Sequence, residues 1–310
     1  MSRDTSLDIA KGIGIIAVVI GHCLGPCAIK TYISTFHMPL FFIIAGMCIN
    51  VSKYDIVTYI SKRAKSLLLP FLFYTVLNYI VQIACLGTER TSFYELPIAM
   101  WFLLILWLSQ VVYFTLYKLI VKYKLHNVWG GGILLFNIII ALCFYHYSVK
   151  LPYHLHAAPI SIFFLGLGHL LRNKILTFKN WLSEKTIRFP WILLMLLVPV
   201  YSIVTDRNLN VSQNEFGFPD YIVACIMVMG VIALSNLKFV KFFWFLQWLG
   251  QNTLVILGLH MVFVYLSIYF IHPHIDTKIV YKAIEQLFTW SMSLLCIVIV
   301  NKYAKWLAGK

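Results

Sequence analysis

Residues 7–22 read Leu7-Asp8-Ile9-Ala10-Lys11-Gly12-Ile13-Gly14-Ile15-Ile16-Ala17-Val18-Val19-Ile20-Gly21-His22. The stretch has the length and apolarity of a membrane span, yet it holds an aspartate, a lysine and a histidine. At roughly 100° per residue, Lys11 and His22 fall within about 20° of one helix face and about 16 Å apart along its axis. Asp8, Gly14, Val18, Gly21 and Gly25 lie near the same stripe, so one face is polar or small and the other is β-branched. Ionisable groups inside a span are expensive and mark function by default. Taken singly, Lys11 reads as a snorkelling cation paired with Asp8, and His22 as a hydrogen-bonded packing group. Their shared face favours function, and the glycines let another helix or a substrate approach the backbone.

The rest of the chain has the same character. Of 310 residues, 61% are hydrophobic and 12% charged, with mean hydropathy +0.84, against about 25% charged in an ordinary soluble domain. Stretches of 16 or more residues without Asp, Glu, Lys or Arg occur ten times, at 12–29, 31–52, 66–88, 96–117, 125–149, 151–171, 189–205, 221–237, 242–275 and 286–301. A spanning helix needs about 20 mostly apolar residues. The expectation is an all-α integral membrane protein of about ten transmembrane helices, with 1–310 forming one transmembrane domain. The run 242–275 divides: Trp244, Gln247 and Trp248 suggest an interfacial piece, and Gly250-Gln251-Asn252 breaks it before a span over 253–271. The short alternating strands of a membrane barrel are absent from the sequence.

A net charge of +14 invites a nucleic-acid reading, but the positions of the cations argue otherwise. Segments on the N-terminal side of the predicted topology carry 18 Lys and Arg, among them Lys62, Arg63 and Lys65, and the opposite loops carry six. The positive-inside rule then puts both termini in the cytoplasm, with the membrane lipid and not nucleic acid as the partner of the charge. The seven cysteines lack metal-type spacing and fall mostly in apolar runs, as small hydrophobes do. No cleavable signal peptide is expected, because the first apolar stretch contains Lys11 and has no Ala-x-Ala site.

The second span opens Phe36-His37-Met38-Pro39-Leu40-Phe41-Phe42. A short connection joins it to the first, so His22 and His37 can meet at one cavity. Two histidines near neutrality supply a general base and a hydrogen-bond donor; no third ligand at helical spacing points to a metal. Before the third span lies Ser61-Lys62-Arg63-Ala64-Lys65-Ser66-Leu67-Leu68-Leu69-Pro70, read as a cytoplasmic loop. Its cations serve orientation or anionic-lipid contact, or else clamp the phosphates of a nucleotide-like cofactor.

These motifs together resemble the acyltransferase-3 family of integral-membrane O-acyltransferases, especially its branch of fucose 4-O-acetylase-like proteins. The resemblance rests on Lys11 and His22 in the first span, the whole of Phe36 to Phe42 followed by Ala45-Gly46, and the basic element from Lys62 to Pro70. It extends to Trp101-Phe102-Leu103 at the start of the fourth span and to Leu249-Gly250-Gln251-Asn252-Thr253-Leu254 leading to His260. The motifs occupy about 1–105 and 245–265; the intervening spans match mainly in hydropathy.

The resemblance implies a ten-span protein of the bacterial cytoplasmic membrane. It would take acetyl-CoA or another acyl-CoA from the cytoplasm as acyl donor and a sugar hydroxyl of a surface polysaccharide or lipid-linked precursor as acceptor. It makes His22 the catalytic histidine, either removing the hydroxyl proton or carrying the acyl group. Lys11 is assigned to CoA or intermediate stabilisation, with Asp8 tuning it, and His37 to acceptor orientation or a second acid-base role. Lys62, Arg63 and Lys65 would bind the CoA phosphates, and His260, Trp101 and Asn252 are further candidates. Where the family has Arg-x-x-Arg this chain has Lys62-Arg63-Ala64-Lys65, and a lysine lacks the bidentate fork. Separate glycan-assembly proteins would be partners completing the pathway. The rival reading is a transporter or flippase for a glycan-related substrate; the two related halves with broken helices typical of transporters are not evident. The histidine pairs His154/His156 and His272/His274 fall in predicted extracytoplasmic loops, where solvated and acceptor-lining roles are both open.

Overall fold

The computed structural model of the chain describes residues 5–25, 27–87, 96–125, 128–173, 190–197, 211 and 215–310. Among them every regular element is helical, as the lipid environment requires, since an unpaired backbone group has no water to turn to. In chain order the helices are α1 (Thr5–Cys23), α2 (Ala28–Ser34), α3 (His37–Met47), α4 (Ile56–Arg63), α5 (Leu69–Leu86), α6 (Trp101–Lys122), α7 (Val128–His146) and α8 (Ala158–Leu170). After 190–197, which is also helical, come α9 (Phe218–Ser235), α10 (Lys238–Phe242), α11 (Trp244–Gln251), α12 (Thr253–Phe270) and α13 (Lys278–Tyr303).

Eight segments among the described residues are long and apolar enough to cross a membrane. Six are α1, α6, α7, α9, α12 (continuing to His274) and α13; the other two join α2 with α3, and α4 with α5. The charge-free run 151–171 forms a 3-10 segment, Pro152–Ala157, followed by the 13-residue α8, and the run 189–205 lies largely outside the described residues, as do most of the polar connections 172–188 and 205–220. The division of 242–275 is seen: α11 stops at Gln251, Asn252 breaks the helix, and α12 starts at Thr253.

The basic segment 61–70 is helix, not the loop expected from its charge. Asp55 caps α4 by accepting the Thr58 N–H at 3.3 Å, and the chain stays helical to Leu86. A π-helical turn, Ala64–Leu68, joins α4 to α5, the widened geometry that recurs at functional sites. Pro70 stands in the first turn of α5, directly after the π turn.

Packing follows small residues rather than bulk hydrophobicity, because lipid tails are as apolar as leucine. α1 crosses α11 in backbone contact: a Cβ on Gly12 would sit 2.1 Å from the Leu246 carbonyl oxygen, and one on Gly250 only 1.7 Å from that of Asp8. α3 and α8 meet in the same way, Gly46 against Leu165 and Gly168 against Ile43. The hydroxyls of Ser109 and Ser161 bond α6 to α8. Leu72, Val76 and Ile80 of α5, like Leu135, Phe136 and Ile139 of α7, are exposed and form the apolar outer surface that lipid covers. The chain ends also pack at the α11–α12 break: Gln251 donates to Asp8 (3.3 Å), and Lys310 donates to Asn252 (3.4 Å) and to Asn301 (2.8 Å).

Candidate active site

The polar stripe of α1 opens onto two cavities. The first, about 240 Å³, is bordered by Lys11, Ile15 and Val18 of α1, by Met38 and Phe41 of α3, by Arg63, and by Leu254 and Leu257 of α12. The second, about 350 Å³, is bordered by Val18, Gly21 and His22, by Lys30, His37 and Met38, by Trp101 and His154, and by Leu257 and Met261. Lys11 and His22 therefore share a helix face but serve different chambers, which meet at Val18, Met38 and Leu257.

In the first chamber, Lys11 Nζ pairs with Asp8 Oδ1 at 2.6 Å. Asp8 is buried, so the pair anchors the ammonium one turn into the helix while leaving it at the cavity wall. Arg63 is the member of the basic cluster that reaches this chamber; its guanidinium also lies over the Tyr59 ring at 5.2 Å. Lys62 is exposed and sits 4.5 Å over the ring of Tyr54, and Lys65 is exposed on the π turn. Just outside the span, the Tyr54 hydroxyl is held below its usual phenol range, first by its hydrogen bond to Lys53 and further by the charge of Lys62. The cluster thus divides: one guanidinium faces the chamber, and two lysines face outward. Lys11, Arg63, Gln110 and Thr253 add polar groups to a lining made mostly of apolar side chains, a combination able to hold an anionic or polar group beside an apolar one.

In the second chamber the tautomer of His37 follows from its geometry. Nδ1 lies 2.8 Å from the Ile33 carbonyl oxygen; a carbonyl only accepts, so Nδ1 carries the proton and Nε2 keeps its lone pair. This bond also bridges the bend between α2 and α3, whose register is further held by Thr35 donating to the Tyr32 carbonyl at 2.7 Å. Behind His22 stands His260, fully buried, with ring centroids 5.2 Å apart. Its Nδ1 donates to the carbonyls of Ile256 and Leu257, both at 3.0 Å, and its Nε2 has no hydrogen-bond partner among the described residues. Trp101, at the first position of α6, borders the chamber 5.7 Å from the ring of His154.

Of the residues singled out from the sequence, His22, His37 and Trp101 share one chamber, Lys11 and Arg63 share the other, and Asp8 and His260 stand directly behind Lys11 and His22. Asn252 borders neither chamber: its side chain donates to the Trp248 carbonyl (2.8 Å) and accepts from Asn301 (2.7 Å), tying the α11–α12 break to α13. Lys30, which sequence reasoning did not single out, also borders this chamber, as does His154, for which the sequence leaves solvated and acceptor-lining roles both open. Lys30 stands in the first turn of α2 and His154 in a 3-10 helical turn, Pro152–Ala157, and neither belongs to a local sequence motif. His154, together with Tyr153, holds a left-handed backbone (φ 58° and 55°), a costly conformation for residues other than glycine that clusters at functional sites.

A helical membrane protein with a histidine-lined chamber backed by a cationic one is the class that fold and site define. The sequence profile of the acyltransferase-3 family, described as an acyltransferase domain, matches residues 4–301. The chain belongs to that family and is a multi-pass membrane acyltransferase. No curated protein and no solved structure matches it.

Proposed function

We propose that the chain is an O-acyltransferase, most similar to the fucose 4-O-acetylase-like branch, that moves an acetyl group from cytoplasmic acetyl-CoA to a sugar hydroxyl. The acceptor is a cell-envelope polysaccharide or its lipid-linked precursor, and the enzyme crosses the bacterial cytoplasmic membrane ten times with both termini inside. One observation carries this reading: the cationic and histidine chambers meet on the single stripe of α1 that holds Lys11 and His22.

An acyl-CoA supplies an activated thioester carbonyl. Lys11 and Arg63 bind its anionic head, and the apolar walls between them and Val18 take the arm, excluding water from the thioester. On the far side, Trp101 offers a flat face to a sugar ring, and His37 Nε2 accepts a hydrogen bond from the acceptor. His22 removes the proton of the attacking hydroxyl; as the new carbon–oxygen bond forms and the carbon–sulfur bond breaks, the imidazolium returns that proton to the departing thiolate. His260 holds the His22 ring in place.

The test is acetyl transfer from labelled acetyl-CoA to a surface glycan by the purified protein in lipid nanodiscs, with His22→Ala as control. Label in the glycan that disappears in the control supports the reading. Glycan translocation without label would make the protein a transporter instead.

A further inference from the structure

The two chambers share three wall residues, Val18, Met38 and Leu257. Each is almost completely shielded, with 2%, 6% and 5% exposure respectively. They come from three different helices, α1, α3 and α12, and none has a polar atom to offer a ligand. Val18 is four residues, about 6 Å along the helix, before His22 and seven after Lys11. The shared wall therefore lies nearer to His22 than to Lys11 along the helix.

Its members differ in stiffness. Val18 is β-branched and confined to essentially one rotamer in a helix. Leu257 stands on a backbone held from both sides, its own carbonyl accepting from His260 at 3.0 Å and the next, Gly258, accepting from Asn78 at 2.9 Å. The Gly258 position is itself filled by the Tyr74 ring, 2.4 Å from where a Cβ would be. Met38 is unbranched and adaptable, so it is the one wall that moves without disturbing a helix.

We propose that Val18, Met38 and Leu257 form an aperture that selects the acyl group by length, admitting acetyl and rejecting longer chains. The inference rests on the donor assignment made above. In a thioester entering from the Lys11 side, the acyl tail leads, so the whole tail must pass the aperture before the carbonyl reaches His22. A two-carbon group passes by displacing Met38 alone. A six-carbon tail would have to spread the wall further, over the whole length of the tail, before its carbonyl reached His22.

The experiment uses the full chain in nanodiscs with CoA, acetyl-CoA and hexanoyl-CoA, reading both equilibrium binding and thioester turnover. Leu257→Ala and Met38→Ala should raise the ratio of hexanoyl to acetyl turnover by about tenfold or more, the size of a lost steric discrimination of a few methylenes. Leu257→Phe should narrow the passage, weakening the binding of hexanoyl-CoA more than that of CoA, which has no tail to pass. Met38→Leu, which keeps volume but not flexibility, should not raise the ratio, and a rise like that of Met38→Ala would overturn the aperture. If the alanine variants fold and bind CoA but keep the wild-type ratio, the aperture is overturned and the acyl-CoA assignment stands. Should the wild type bind no acyl-CoA at all, the donor assignment falls and takes the aperture with it.

Discussion

The rings of His22 and His260 lie 5.2 Å apart at a 40° tilt, although 238 positions separate them in the chain. His260 Nδ1 is tied to its own helix, so the ring is an immobile surface against which His22 rests, and its Nε2, fully buried, has no hydrogen-bond partner among the described residues. A positioning role for His260 predicts an asymmetric pair of effects. His22→Ala should lower acyl transfer about 10²- to 10⁴-fold, as loss of a general base does. His260→Ala should lower it up to about tenfold, the scale of one aromatic contact. His260→Ala should also displace the pH–rate profile, because the neighbour that sets the surroundings of His22 is gone. An unchanged profile with a lower unfolding temperature would reduce His260 to packing.

The three cations near residue 63 should not be equivalent. Arg63 borders the chamber and Lys65 does not. Arg63→Gln is expected to weaken CoA binding about tenfold, since a charge-assisted contact is worth roughly 1.5–3 kcal/mol. Lys65→Gln should change it less than threefold at moderate salt, as an exposed charge is screened. Titration calorimetry of CoA into nanodisc protein measures both; equal losses would mean that the phosphates are held by the cluster as a whole.

The α1–α11 crossing admits no side chain at Gly250. Gly250→Ala would put a methyl 1.7 Å from the Asp8 carbonyl oxygen, forcing apart the helices that hold the Asp8–Lys11 pair. The expected cost is about 3 kcal/mol, the upper end of overpacking, with reduced CoA binding. Gly131 of α7 has nothing within 4 Å of its Cβ position, and Gly131→Ala should leave the unfolding temperature unchanged or slightly raised. Thermal unfolding of the two variants in one detergent makes the comparison.

A second buried polar cluster lies between α12 and α13, and its residues border neither chamber. Glu285, fully buried, accepts from Lys282 at 2.6 Å, Tyr281 at 3.1 Å and Ser267 at 3.4 Å. Removing one partner of a buried pair is strongly destabilising, but Lys282 is 32% exposed and water shares its charge. Glu285→Ala should therefore cost about 2 kcal/mol, seen as earlier thermal unfolding. Acyl transfer per folded molecule should remain; its loss would give this carboxylate a part in the reaction.

Much of the fold was legible because membrane insertion is governed by local composition. Backbone groups in lipid must be paired within each segment, so a long charge-free run is already a helix, and the break at Asn252 shows as Gly250-Gln251-Asn252. The basic segment 61–70 misled because charge suggested a loop, whereas the Asp55 cap and good helix formers carry it as helix into α5. Lys62, Arg63 and Lys65 looked like one clamp in one dimension; the π turn and the packing of α4 on α6 direct only Arg63 inward.

By itself the sequence determined the helical membrane class, the common face of Lys11 and His22, and the motifs that place the chain among the acyltransferase-3 proteins. All three are properties of residues close in the chain, set by helical periodicity and hydropathy. Only the tertiary structure decided that Lys11 and His22 open into different chambers, that Lys30 and His154 border the chamber of His22 with His260 behind it, and that Val18, Met38 and Leu257 line both chambers. Those meetings join helices far apart in sequence, and what brings them together is the close crossing of small residues such as Gly12, Gly46, Gly168 and Gly250, for which the local pattern carries no partner.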